Sequence, residues 1–173
     1  MRTRLDREFE EFVRARSATL LRLAALLSGD ADHAQDLVQQ ALWRTHRHWG
    51  QALHNPDAYV RRVLINLTHD RRRHARRRVV ETVTDEPTQT TTADATAMVV
   101  ERVALIGALR LVPARQRAAL VLRFWEDLSV DEAAAALGCS PGTVKSNTSR
   151  GLVSLREILD SQANSDVETG KRP

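Results

Sequence analysis

Residues Val79–Ala97 hold seven threonines, Pro87, Gln89 and several acids, with no apolar residue recurring at a helical or strand period. Such a segment cannot bury enough apolar surface to offset the entropy of ordering it. It therefore divides the chain. Any fold must be built from the block before it and the block after it. The expected organisation is a first helical domain over 1–78, a flexible acidic Thr-rich linker over 79–97, a second helical domain over 98–160, and a disordered tail over 161–173.

Both blocks carry helical punctuation. In the first, Leu5, Phe9, Phe12 and Val13 open an amphipathic segment that continues through Leu20, Leu23, Ala24 and Leu27. Gly29 is a helix stop, and Asp30 or Asp32 a new N-cap. Ala34, Leu37, Val38, Ala41, Leu42 and Thr45 then recur at three- and four-residue spacing. Asn55-Pro56 is a cap followed by a first-turn proline, and it starts a third helix with Tyr59, Val60, Val63, Leu64 and Leu67 on its apolar side. In the second block a helix over Val99–Leu111 is followed by one that starts at Pro113 and ends near Trp125. Glycine is scarce and no alternating Val, Thr and Tyr run persists, so the fold class is all-α: two small helical domains joined by a flexible linker.

The formal net charge of +4 conceals a segregation. From Arg61 to Arg78 there are eight arginines and one acid, Asp70, whereas Val79–Glu101 has five acids and no Lys or Arg. Arg71-Arg-Arg and Arg76-Arg-Arg place like charges on neighbouring turns, where they repel. An anionic partner relieves that repulsion and releases counterions. A nucleic acid or an anionic membrane surface would serve, and nucleic acid is favoured because a second nucleic-acid module follows. Trp49, Tyr59 and the loop between them add aromatic surface on which unpaired bases can stack. Trp49 reads as a residue covering the core, while Tyr59 is balanced between core and ligand.

That second module is Val130–Leu152. Ser129-Val-Asp-Glu132 is a capping box, Gly138 supplies the turn, and Ser140-Pro141 starts the next helix. Ala134 is small where two helices cross, and Leu137, Val144 and Leu152 are expected to pack on the core. The second helix is expected to expose Thr143, Lys145, Asn147, Thr148 and Arg150, side chains suited to base edges and phosphates in a major groove. This is a helix-turn-helix pattern.

No enzyme site emerges. His46 and His48 diverge on a helix, His69 and His74 are poorly spaced for one metal, and there is no HExxH motif or phosphate-cradling glycine loop. No catalytic residue, metal or cofactor is expected, and Cys139 reads as a small buried hydrophobe. The N-terminus lacks an apolar signal region, and Leu20–Leu27 and Val103–Val112 are too short or too interrupted to span a bilayer. No membrane insertion is expected, and the chain reads as cytoplasmic.

Asp36-Leu-Val-Gln-Gln40, Tyr59-Val-Arg-Arg-Val-Leu-Ile-Asn66 and Leu128 through Gly142-Thr-Val-Lys-Ser146 together resemble the extracytoplasmic-function sigma factors of the sigma-70 family. The resemblance spans about Phe9–Arg78 and Val99–Leu159. It implies two helical domains, region 2 and region 4, and promoter-specific transcription initiation with core RNA polymerase. Asp36, Gln39, Gln40 and Trp43 would bind core polymerase at the β′ clamp helices. Region 4 would in addition meet the β flap. Tyr59, Arg61, Arg62, Asn66, Arg71, Arg72 and Arg73 would hold the opened strand of the minus-ten element. Ser140, Thr143, Lys145, Ser146, Asn147, Thr148 and Arg150 would read the minus-thirty-five element. An anti-sigma factor is a common partner in the family. The alternative is a stand-alone helix-turn-helix DNA-binding regulator, which leaves the first block unexplained. A membrane-surface adaptor using the basic helix is a third reading.

Overall fold

The computed structural model describes residues 4–79 and 105–168, with side chains for 4–71 and 105–164. Every regular element among them is helical. The proposed linker over 79–97 lies outside the described residues except for Val79. Block one contains α1 (Arg4–Ser28), α2 (Ala34–Arg47), the single turn α3 (Trp49–Ala52) and α4 (Pro56–Val79). Block two contains helical residues 105–111 (α5), α6 (Ala114–Leu120), a π-helical turn (Val121–Trp125), α7 (Val130–Leu137) and α8 (Pro141–Glu168).

The punctuation acts where the sequence places it, with some exceptions. Gly29 closes α1 at φ +69°, and its amide donates to the Ala25 carbonyl at 2.8 Å. Neither Asp30 nor Asp32 is the cap residue of α2; that position is His33, whose side chain makes no capping bond. Asp30 acts one turn earlier, accepting from the amides of Asp32 (3.0 Å) and His33 (3.3 Å) and meeting the His33 ring at 2.6 Å. Partial burial works to raise the Asp30 pKa, but the His33 side chain and these two amides outweigh it and hold the group below its ordinary range. Asn55 caps α4 through the Ala58 amide at 3.0 Å. The helix from Ala114 changes after Leu120 to wider bonding, with the Glu126 amide reaching the Val121 carbonyl at 3.1 Å, five residues back. The last helix runs to Glu168, well past the expected stop at Leu159; no glycine or proline follows Leu159 until Gly170. Residues 161–168 of the expected tail are therefore helical.

The two blocks share one continuous apolar core. Leu20, Leu23, Ala24, Ala25, Leu26 and Leu27 are all buried, more sides of α1 than a one-faced helix would bury. α2 and α4 pack on α1 from within block one; α6 and the π turn pack on it from block two, and α7 packs on α4. Within block one, Arg16 on α1 pairs with Asp57 in the first turn of α4 at 2.6 Å. Within block two, Ser154 on α8 donates to Gln116 on α6 at 3.0 Å. Each fully buried Leu or Val at this core, such as Leu64, Leu122 and Val144, contributes roughly 1.5–3 kcal/mol of transfer free energy.

Candidate nucleic-acid interface

The residues foreseen as polymerase contacts share one exposed face. Leu37, Val38, Ala41 and Thr45 turn α2 towards the core. The 3.6-residue period then puts Asp36, Gln39, Gln40 and Trp43 outside, and all four are exposed. Trp43 is 60% exposed, with the Arg47 guanidinium 4.9 Å from its ring centroid. Beside it lies a groove of about 570 Å³ between α1 and α2, with Phe9, Val13 and Leu42 on its apolar walls and Asp6, Gln39 and His46 at its polar ones. The groove is not legible in the sequence, because it depends on how two helices cross.

Trp49 is buried, edge-on to Phe9 at 5.0 Å between centroids and tilted against Phe12 at 5.3 Å. It belongs to the core, so it does not form an open aromatic pocket with Tyr59. Tyr59 is half-buried in the first turn of α4. Arg62, Asn66 and Arg71 are exposed along α4, on the side away from Val60, Leu64 and Leu67. The side chains of Arg72 and Arg73 lie outside the described residues. Arg61 departs from the expectation of a free cation. Its guanidinium pairs with Glu126 of block two at 2.7 Å, and the two side chains are only 14% and 11% exposed. It also lies close enough to Glu132 to help hold that carboxyl below its ordinary range, behind the larger effect of the Ser129 hydrogen bonds.

In block two, Ser129 caps α7: the Glu132 amide donates to its Oγ at 3.2 Å, and its own amide donates to Glu132 Oε2 at 2.8 Å. Gly138 turns the chain with φ +64°, ψ +39°, the left-handed conformation glycine adopts at little cost. Ser140 starts α8, accepting from the Thr143 amide at 3.2 Å, while its Oγ lies 2.9 Å from the Thr143 hydroxyl. Thr143, Lys145, Ser146 and Arg150 are exposed and Asn147 is partly so, as a recognition face requires. Two positions depart from expectation. The Thr148 hydroxyl is buried, because Thr148 falls on the Val144–Gly151–Leu155 side of the helix that faces α6. Leu152 is 48% exposed; Gly151, buried beside Leu120, takes the inward position instead.

The chain thus carries an exposed tryptophan face, a basic helix and a helix-turn-helix with a polar outer face. Sequence comparison decides between a promoter-recognition factor and a stand-alone regulator. The sequence pattern of Sigma-70 region 2 matches residues 12–78, and that of Sigma-70, region 4 matches residues 102–155. The RNA polymerase sigma-E factor of Streptomyces avermitilis is 43% identical over 157 residues, covering 90% of this chain and 87% of its own length. The chain belongs to the extracytoplasmic-function sigma factors of the sigma-70 family.

The sigma-E factor of Streptomyces coelicolor is 44% identical over 154 residues, with 88% and 86% coverage. The ECF RNA polymerase sigma factor SigM of Mycobacterium tuberculosis is 31% identical over 153 residues, covering 87% of this chain and 76% of SigM. In structure, the chain is similar to the sigma factor RpoE of Bartonella quintana in complex with the anti-sigma factor NepR: TM-score 0.68, 26% identity, 88% of this chain and 97% of that one. The fold is also that of CnrH in complex with the cytosolic domain of CnrY, at TM-score 0.60. The region 2 match accounts for the first block, which the stand-alone regulator reading left over. Among the described residues no helix is long and apolar enough to cross a membrane.

Proposed function

We propose a division of labour for this sigma factor in which block one is the polymerase-docking and strand-capturing half and block two the duplex-reading half. The α2 face of Asp36, Gln39, Gln40 and Trp43 docks on the β′ clamp helices of core RNA polymerase, and region 4 meets the β flap. Tyr59, Arg62, Asn66 and Arg71–Arg73 hold the opened minus-ten strand, with Arg61 beside them at the joint with Glu126. Ser140, Thr143, Lys145, Ser146, Asn147 and Arg150 face the minus-thirty-five duplex. Thr148 supports that helix from inside.

The observation that carries the reading is Trp43. A large aromatic that is 60% exposed, absent from the core, and set between the polar residues of α2 and the apolar wall of the α1–α2 groove has the composition of an interface hot spot. Catalysis in this scheme belongs to the polymerase, so the chain works in the cytoplasm beside it. An anti-sigma factor, such as the one bound to the Bartonella quintana relative, would act by covering these same faces.

Transcription in vitro with core polymerase and a promoter library tests the scheme. Promoter-specific transcripts are expected, lost with Trp43→Ala at the polymerase-binding step. A folded protein that gives none, or that binds duplex specifically without polymerase and ignores Trp43→Ala, overturns it.

A further inference from the structure

Helix α8 is held at two places along its length. Near its start Val144 is completely buried, and α7 packs on the helix. Two turns on, about 10 Å along the axis, α8 meets α6. There Gly151 is buried, and a Cβ on it would stand 3.0 Å from Leu120 Cγ and Cδ1 and 3.3 Å from Gln116 Cβ. Leu120 is only 4% exposed, so it has little room to give. Ser154, one turn further along, donates to Gln116 Oε1 at 3.0 Å. Thr148, one turn earlier on the same side, has a buried hydroxyl that finds no hydrogen-bond partner among the described residues. A glycine thus stands in mid-helix, where alanine would be the better helix former. What it supplies instead is a close approach of α8 to α6.

A close approach combined with a directional hydrogen bond fixes more than the distance between two helices. It fixes the rotation of α8 about its own axis. Asn147 and Arg150 each precede an inward residue, Thr148 and Gly151, so rotating the helix swings both sideways. Val144 is the pivot, and Ser140 and Thr143 lie beyond it towards the helix start, where the movement is least. Carbon atoms rest at about 3.5–4.0 Å, so a methyl at residue 151 would drive α8 from α6 by about 0.5 Å or more. A binding constellation tolerates an error of only about that size. We infer that Gln116, Leu120, Gly151 and Ser154 form a specificity-determining seam. None of the four is exposed, yet together they set the rotation of α8 and so decide which base edges Asn147 and Arg150 reach. The inference rests on the reading of block two as the duplex reader and adds what aims it.

Holoenzyme reconstituted with core polymerase, and a promoter library randomised across the minus-thirty-five element, measure that aim. Asn147→Ala and Arg150→Ala first show which base positions these two side chains serve. Gly151→Ala is expected to change base preference at those same positions by about fivefold or more. Minus-ten preference and the salt slope of binding stay as in the unaltered protein, because no phosphate contact is removed. Adding Leu120→Ala, which takes away the atoms that the new methyl meets, returns the original preference. Ser154→Ala removes the hydrogen bond and crowds nothing, and moves the same positions by a smaller factor, about twofold. A purely structural defect would instead lower every promoter evenly and keep the order of bases intact. Circular dichroism and the urea midpoint show that each variant is folded. An unchanged base order in folded Gly151→Ala and Ser154→Ala, an even loss across the library, or a change that Leu120→Ala leaves in place each overturns the seam. An unaltered chain with no minus-thirty-five preference overturns the duplex-reader scheme itself, before any variant is needed.

Discussion

Helices α4 and α8 begin alike and end in different circumstances. Each starts with a polar cap and a proline, Asn55-Pro56 and Ser140-Pro141, and each turns an apolar side inward and a polar side outward. α8 keeps Thr143, Lys145, Ser146 and Arg150 exposed on its outer face. α4 has its first arginine held by Glu126 across the joint between blocks. The difference lies in what each helix packs against. α8 rests on α6 and α7 of its own block, whereas α4 also meets α7 from the other. A duplex reader can stay exposed in the free chain. On the proposed scheme α4 meets DNA only after polymerase has opened it, so Glu126 can hold its first cation in the free chain without loss.

The joint itself is where the largest effect is expected. Arg117→Ala removes the guanidinium that serves the carbonyls of Leu27, Ser28, Leu109 and Arg110 in a buried or part-buried site; among the described residues Leu109 alone of these keeps a second donor, the Val112 amide at 3.2 Å. Each unsatisfied buried group costs about 1–3 kcal/mol, and water admitted to the cavity recovers part of this. A loss of about 3 kcal/mol or more in urea denaturation is therefore expected, with the single transition splitting in two as the blocks uncouple. An unchanged midpoint would show that the shared core, not the arginine, holds the blocks together.

Arg150→Ala probes the free reader. If Arg150 makes a bidentate base contact, holoenzyme loses roughly 1–3 kcal/mol on its preferred promoter and tolerates changes in the upstream element. Because Arg150 is exposed in the free chain, its loss leaves the denaturation midpoint within about 0.5 kcal/mol of the unaltered protein. Unchanged promoter preference refutes a base-reading role.

Arg62→Ala sharpens the contrast from the α4 side. Arg62 neighbours Arg61, which is paired with Glu126, but is itself exposed. As a phosphate contact it should weaken open-complex formation evenly across promoter sequences and lower the salt slope of binding by about one unit. A sequence-dependent loss would instead make Arg62 a base reader.

Much of this was legible from spacing and punctuation. The helix-turn-helix follows from Ser129, Glu132, Gly138 and Ser140, because caps and left-handed turns are local and demand particular residues. The outward face of α2 follows from the period of Leu37, Val38 and Ala41. What escaped was whatever depends on a second element. Thr148 looked like a reader because it is short and polar, yet Val144 and Leu155 fix that side of the helix as inward. Arg61 looked free because its partner is 65 residues away. The clue to the joint was present in Leu23-Ala-Ala-Leu-Leu27, apolar on too many sides for one covering layer. Gly29 signalled only a helix end, although it also lets Arg117 approach.

The smallest effect concerns the capping box that precedes the reading helix. The side chain and then the amide of Ser129 hydrogen-bond to the Glu132 carboxylate and lower its pKa, against a slight opposing effect of burial; the Arg61 charge adds a little. A carboxyl lowered by folding stabilises the native state above its unfolded-state value, and that contribution disappears as pH falls through the folded-state value. The window is therefore acidic, below about pH 4.3, and stability at neutral pH is insensitive to it. An NMR titration of the Ser129 amide is expected to show its inflection below the ordinary glutamate value. Two substitutions separate the causes. Ser129→Ala should move the inflection upward markedly, since it removes the largest contribution, and should cost about 1 kcal/mol of stability through the lost cap. Glu126→Lys should move it only slightly, by displacing Arg61 from the neighbourhood of Glu132. Were the order reversed, the across-block charge would be governing this carboxyl, and α7 would be coupled to the joint more tightly than its own capping geometry requires.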